Sequence, residues 1–236
     1  MATHYYLAKD RGKISTDWLV SYYSFNFETP DQFEKIRFGQ LRILNNDTIR
    51  GGSGFGVHPH DNMEIVTIPL SGGLTHKDSL GNIHQLIPGD VQVMTAGTGI
   101  RHSEYNLFDD QETNFLQIWV FPDRKGLTPR YDQRRFGPQN RLNRWDLVIA
   151  PRGQAPLYIN QAAYFSRTDL DASKNLDYAI HQDDTGLLVY VIDGKIRIHN
   201  ETFISGDAVG YTGQLKILIH ATNRADILAI EVPLSN

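Results

Sequence analysis

His58-Pro59-His60 and, further along, His102-Ser103-Glu104 place three imidazoles and a carboxylate in two pairs, each spaced i, i+2. In an extended strand, residues two apart project from one face. Each pair can close on a single point only where the chain is a strand, so the fold must bring two sequence-distant strands together. Three neutral nitrogens and one oxygen suit a divalent transition metal, and iron(II), manganese, nickel, cobalt, copper and zinc all accept such donors. Four protein ligands on an ion that prefers six leave positions open for substrate or oxygen.

The rest of the chain satisfies the demand for strands. Apolar and β-branched runs at 36–44, 64–70, 89–95, 115–121, 187–192 and 227–232 are separated by turn pairs such as Asn46-Asp47, Gly72-Gly73, Pro88-Gly89 and Asp193-Gly194. Many short strands at this spacing predict an all-β sandwich or barrel. Helix signals are few; Thr29-Pro30-Asp31-Gln32-Phe33-Glu34 could start one turn.

A weak internal echo is present. Residues 80–94 read as strand, Pro-Gly-Asp, strand, and residues 196–211 repeat that plan around Ser205-Gly206-Asp207. The hairpin at 187–198, turning at Asp193-Gly194, likewise echoes 64–76, turning at Ser71-Gly72-Gly73. Two similar β-units in tandem follow, divided as 1–140 and 141–236. Between them, 124–152 is rich in Pro, Gly, Asn and arginine (Arg130, Arg134, Arg135, Arg141, Arg144, Arg152). It reads as a linker or inter-domain surface, with an anion-binding patch as the alternative, because arginine forks suit carboxylates and phosphates.

Composition closes off other classes. With 236 residues the chain can bury a real core. A net charge of −4 gives no basic footprint for direct nucleic-acid binding. There is no cysteine, hence no disulfide, thiolate ligand or cysteine nucleophile. No segment approaches the roughly 18 apolar residues of a membrane helix, and a cytoplasmic protein without membrane contact is the expectation.

The donor pairs sit in Gly52-x5-His58-x-His60-x3-Glu64 and Gly97-x-Gly99-x2-His102-x3-Asn106. These resemble the two cupin motifs. They depart from them by one extra residue before Gly72 and by Gly97 in place of a proline. Strand parity leaves Glu64 and Glu104 both open as the carboxylate ligand. His76 and Asp78 form a further i, i+2 pair that could orient a ligand imidazole or simply stabilise a hairpin. His84 reads as structural or exposed. Met63, Met94, Phe55, Trp119 and Phe121 could line a pocket for a flat aromatic molecule, though core packing is the plainer reading.

Longer stretches go further: Asp10-Arg11-Gly12, Trp18-Leu19, Phe38-Gly39-x-Leu41-Arg42, Gly54-Phe55-Gly56-Val57-His58-Pro59-His60, Met63-Glu64-Ile65-Val66-Thr67, His76-x-Asp78-Ser79-x-Gly81-Asn82 and the run from Pro88-Gly89-Asp90 to His102-Ser103-Glu104. Over residues 8–122 the chain resembles the pirin family. That resemblance implies a bicupin, two antiparallel β-barrels face to face with few short helices, and metal in the N-terminal barrel only. It implies His58, His60, His102 and Glu104 as ligands, Glu64 as a pocket residue, and iron(II) as the ion. Bacterial pirins are similar to quercetin 2,3-dioxygenases, so the resemblance implies a flavonol-like aromatic substrate, O₂, and Glu104 as general base. An animal member is a nuclear transcriptional co-regulator, which makes an iron-dependent redox-sensing regulator with a protein partner the alternative. Two departures bear on substrate: Asp61-Asn62 where an arginine is frequent, and Ile68-Pro69-Leu70, whose proline costs a ladder bond unless it lies at an edge or bulge. In the C-terminal half His181, His199 and His220 stand isolated.

Overall fold

The computed structural model describes residues 2–25 and 36–235; the turn expected at 29–34 lies outside them. In the first half the strands are β1 (Ala2–Tyr6), β2 (Gly12–Ser15), β3 (Leu19–Tyr23), β4 (Leu41–Ile49), β5 (Gly54–His60), β6 (Glu64–Ser71), β7 (Leu74–Asp78), β8 (Ile83–Leu86), β9 (Asp90–Thr95), β10 (Ile100–Asn106), β11 (Thr113–Val120) and β12 (Arg130–Arg135). The second half holds β13 (Asp146–Ala150), β14 (Leu157–Tyr158), β15 (Tyr164–Leu170), β16 (Asn175–Ala179), β17 (Thr185–Asp193), β18 (Lys195–Ile198), β19 (Glu201–Ile204), β20 (Ala208–Thr212), β21 (Lys216–Ala221) and β22 (Ala225–Pro233). Helix among the described residues is limited to single 3-10 turns at Ala8–Asp10 and Pro138–Asn140.

Each half pairs a seven-stranded sheet with a four-stranded one. The first has the orders β12-β9-β6-β11-β4-β3-β2 and β5-β10-β7-β8; the second has β1-β20-β17-β22-β15-β13-β14 and β16-β21-β18-β19. The strand plans superimpose place for place, as the tandem echo predicts. Two details were not expected. β1 pairs with β20, so the N-terminal strand joins the second unit's sheet, and β13 pairs with β14 in parallel within otherwise antiparallel sheets.

Alternation along the central strands shows why their sequences read as unbroken apolar runs. Leu188, Tyr190, Leu228, Ile230 and Val232 face a core shared with Val66, Ile68, Leu116, Ile118 and Val120 of the first half. The intervening Leu187, Val189, Val191, Ile227 and Ala229 face the interior of their own barrel, against Ile196, Ile198, Ile217 and Ile219. The seven-stranded sheets are therefore buried on both sides, which favours continuous rather than alternating hydrophobicity.

Three local features depart from the simplest reading. Residues 36–40 are not strand: Gly39 turns in the left-handed region (φ +53), where a Cβ would meet the Pro233 carbonyl oxygen at 2.3 Å, and β4 begins only at Leu41. Pro69 is tolerated because the β6–β11 register slips at Leu70, from Asn114↔Ser71 to Phe115↔Pro69, giving the bulge that its missing N–H requires. The 124–152 segment is more than a connector, since β12 inside it extends the first sheet along β9. No helix among the described residues is long and apolar enough to cross a membrane.

Because one core serves both halves, they are expected to unfold together. Leu228→Ala, which empties a fully buried position in that core, should destabilise the protein by about 2–5 kcal/mol. Fluorescence from Trp18 and Trp119 in one half and Trp145 in the other should report a single denaturant transition coincident with circular dichroism; two separated transitions would contradict a shared core.

Candidate metal centre

The edge strand β5 carries His58 and His60, and its neighbour β10 carries His102 and Glu104. His102 pairs directly with His58, and Ile100 with His60. The three rings converge, with centroids 4.8 Å (His58–His60), 4.4 Å (His58–His102) and 4.9 Å (His60–His102) apart. One nitrogen from each lies within 4.8 Å of the others. Asn62 N–H donates to Gly97 O and Thr98 N–H to Leu127 O, which fixes the loop leading into β10. Gly97 is required there: its φ is +51, and a Cβ would sit 2.0 Å from the Leu127 carbonyl oxygen.

The protonation states suit metal binding. His58 Nδ1 lies 2.8 Å from Gly56 O, so this nitrogen carries the proton and Nε2 is left with its lone pair. Burial, then the charges of His58, His60 and His76, push the His102 imidazole down to about 2. Burial and His58 push His60 down to about 4. His102 is 1% exposed, yet neither ring nitrogen has a hydrogen-bond partner. Such orphaned buried polar atoms are rare and costly, and a divalent transition ion among three imidazoles supplies the missing partner. The residues present fit the ion.

Glu104 is placed differently from the expectation of one four-residue cluster. Its carboxylate groups with His102 and His76, again within 4.8 Å, rather than with His58 and His60. In the β10–β7 register Glu104 pairs directly with His76, and across a bulge in β5, where Gly56 and Val57 together oppose Ser103, it faces Phe55. Glu104 is fully buried. Gln117 Nε2 donates to Oε2 at 2.7 Å and the Thr67 hydroxyl lies 3.1 Å from Oε1. Burial foremost, with the Asp47 charge adding to it, raises Glu104 to about 7 against the pull of these two bonds.

Glu64, the rival carboxylate, belongs elsewhere. The strand breaks between His60 and Glu64, so parity does not run from one to the other. On β6 Glu64 shares the face of Val66 and Ile68, toward the second half, where Thr95 Oγ1 (3.0 Å) and Asn160 N–H and Nδ2 (3.3 and 3.2 Å) donate to it. It ties the halves together.

His76 is more than a hairpin support. It is fully buried, 5.3 Å ring to ring from His102, and donates from Nε2 to Asp78 at 3.1 Å. Asp78 is itself held by Leu80 N–H and by Asn82 N–H and Nδ2. A carboxylate behind an imidazole is the usual support of a metal-site histidine. Thr67 and Gln92 fall within the resembling stretches without an implied role, and Gln117 lies in none of them. His84 is exposed and stacks on Tyr131, which in turn covers His76. Of the apolar candidates, Trp119 meets His60 edge-on at 4.8 Å, Met63 and Met94 cluster with it, and Phe55 lies 6.4 Å from His58. Phe121 lies away from these rings, in a cleft with Arg37 and Lys125.

The second barrel puts other residues at the equivalent places. Ile217 and Ile219 on β21, Ile196 and Ile198 on β18, and Tyr178 on β16 fill its interior. His199 and His220 lie beside an open cleft with Arg197, and His181 Nδ1 pairs with the buried Glu231 at 2.9 Å.

The raised Glu104 pKa gives a signed expectation. From the ordinary value of 4.5 up to about 7 the unfolded chain has released this proton while the folded, metal-free protein keeps it, so stability falls as pH rises through that window. Denaturant titrations in chelator should show this fall in the wild type and its absence in Glu104→Gln. Metal affinity of the wild type should rise over the same range, because binding competes with that proton; a pH-independent affinity would contradict Glu104 as a ligand.

Comparison with known proteins assigns the family. The sequence profile described as Pirin matches residues 6–120, and that described as Quercetinase C-terminal cupin domain matches 147–232. The chain is 34% identical over 229 residues to a quercetin 2,3-dioxygenase of Escherichia coli K12, covering 96% of each. It superimposes on the crystal structure of YhhW from Escherichia coli with a TM-score of 0.92 at 33% identity over the whole of both chains. A structure of bacterial pirin YhhW in complex with nickel(II) gives 0.90 at 34% identity, covering 98% of this chain and 99% of that one. With twin seven- and four-stranded sheets, a shared core and relatives matched end to end, the chain belongs to the pirin family and is a bicupin.

Proposed function

We propose that this protein is a metal-dependent dioxygenase of the quercetin 2,3-dioxygenase type, with His58, His60 and His102 holding one ion and Glu104, which shares a cluster with His102, as the fourth ligand. The observation that carries the reading is the pairing of an open edge, where His58 and His60 are half-buried, with a buried carboxylate grouped with His102. The relatives named as quercetin 2,3-dioxygenases support the reaction class, and the nickel-bound pirin supports a divalent ion; iron(II) is the ion assigned, with nickel, manganese, cobalt, copper and zinc chemically compatible. The division of the chain at 140/141 belongs to the same proposal, with β1 lent to the second unit.

A bound divalent metal supplies Lewis acidity toward a hydroxyl and redox contact with O₂. Everything else falls to the chain. Trp119, Met63 and Phe55 wall the open side with apolar surface, which suits a flat flavonol and excludes water. Glu104 is the base assigned to the proton of the substrate's 3-hydroxyl. Gln117 and Thr67 hold its two oxygens, so the carboxylate is oriented before substrate arrives.

Oxygen uptake with quercetin, measured on protein loaded separately with iron, manganese, nickel, cobalt and copper, tests the reading; inactivity of all five would sink it for this substrate. Glu104→Gln should keep the Gln117 side of the pocket filled while lowering kcat by about 10²–10⁴-fold, with KM changed far less. Elemental analysis should accompany it, since loss of metal rather than of the base would assign the defect to binding.

A further inference from the structure

Five of the arginines of 124–152 are spent on partners within the fold. Arg130 donates to Tyr158 O, Arg135 pairs with Asp90 at 3.4 Å, Arg141 with Asp169 at 3.0 Å, Arg144 donates to Asn140 O and Arg152 to the Tyr158 hydroxyl. The unspent cations lie beside them. Where β11 leaves the first barrel and β22 ends the second, a cleft of about 490 Å³ is lined by Arg37, Arg124 and Lys125 together with Phe121, Pro122 and Pro233. Its one carboxylate among the described residues, Asp123, is 3.4 Å from Arg124. Among the described residues neither Arg37 nor Lys125 has a carboxylate within salt-bridge distance. The Arg37 guanidinium lies 5.7 Å from the centre of the Phe121 ring.

We propose that this cleft is a binding site for a planar aromatic carboxylate. Its size falls within the range of small-molecule sites. Guanidinium groups match a carboxylate in a bidentate fork, and lysine adds a point charge. Phe121 and the two prolines offer a flat apolar wall, which a bare inorganic anion would leave unused. The cleft also reaches the loop that follows β5. Asn62, two residues after His60, lines it, and its Oδ1 accepts from Gly126 N–H just beyond Lys125.

This placement gives the site a use that rests on the dioxygenase reading. Opening a flavonol ring with O₂ and losing carbon monoxide leaves an aryl ester bearing a free aromatic carboxylic acid. The substrate carries no carboxylate and the product does, so a cationic cleft that reaches Asn62, in the loop after His60, holds product without competing for substrate.

The test is binding of 4-hydroxybenzoate, which cannot chelate metal through adjacent oxygens, to the full-length protein, by calorimetry and saturation-transfer NMR. The methyl ester should bind about tenfold more weakly or worse, and Arg37→Gln/Lys125→Gln should weaken the acid by at least about tenfold. Removing metal with chelator should leave the acid's affinity unchanged, and equimolar inorganic phosphate should not displace it. Equal binding of acid and ester, wild-type affinity in the double variant, displacement by phosphate, or loss of binding with the metal would each overturn the site. Binding that persists in protein inactive toward every flavonol keeps the site and removes its link to turnover.

Discussion

The parity of β6 is the constraint on which the first barrel depends. Alternate residues send Ile65 and Thr67 inward, toward Met94 and Glu104, and send Glu64, Val66 and Ile68 outward into the surface shared with the second half. A one-residue slip would exchange the two sets, putting Glu64 into the metal barrel and Thr67 into an apolar core. Register with β9 and β11 on both sides forbids that slip over Glu64–Thr67, and the single irregularity is deferred to Leu70, beyond the residues that matter.

Parity also explains why one barrel can do chemistry and its twin is plain core. The two have the same strand plan, and the inward positions of the second form one apolar cluster on which β16, β18, β21 and the large sheet all converge. In the first barrel the equivalent interior is split into two small apolar clusters. A polar layer separates them: Thr67, Gln92, Gln117, Glu104, His76 and His102, all buried. Such a layer costs stability wherever a partner is missing. Thr67 has one hydroxyl proton for the two acceptors Glu104 and Gln117, and both His102 nitrogens lack partners. The large shared core stabilises the fold that carries this deficit, and a bound ion would cancel much of it.

How much of this was legible in the sequence follows from the range of each signal. His58, His60 and His102 were readable because an i, i+2 spacing has a fixed meaning in a strand, and the structure brings their rings together. The carboxylate was harder. Nothing local to Glu64 reveals the break after His60 that reverses its side, nor does anything near Glu104 reveal that β10 pairs with β7 so that it faces His76. Thr67 and Gln117 lie fifty residues apart and acquire a role only through cross-strand pairing. The family resemblance, drawn from many residues at once, favoured Glu104 where parity could not.

The same limit explains the arginine-rich stretch. Local composition suggested either a linker or an anion patch, and counting arginines could not decide between them. What decides is whether each guanidinium finds a carboxylate or carbonyl in the folded chain. Most of those in 124–152 do, through partners as far off as Asp90. Among the described residues, Arg37 and Lys125, almost ninety residues apart, share a cleft with no carboxylate within salt-bridge distance of either. A charged surface is thus set by subtraction, after the fold has neutralised the rest, and subtraction of that kind has no signature in one dimension.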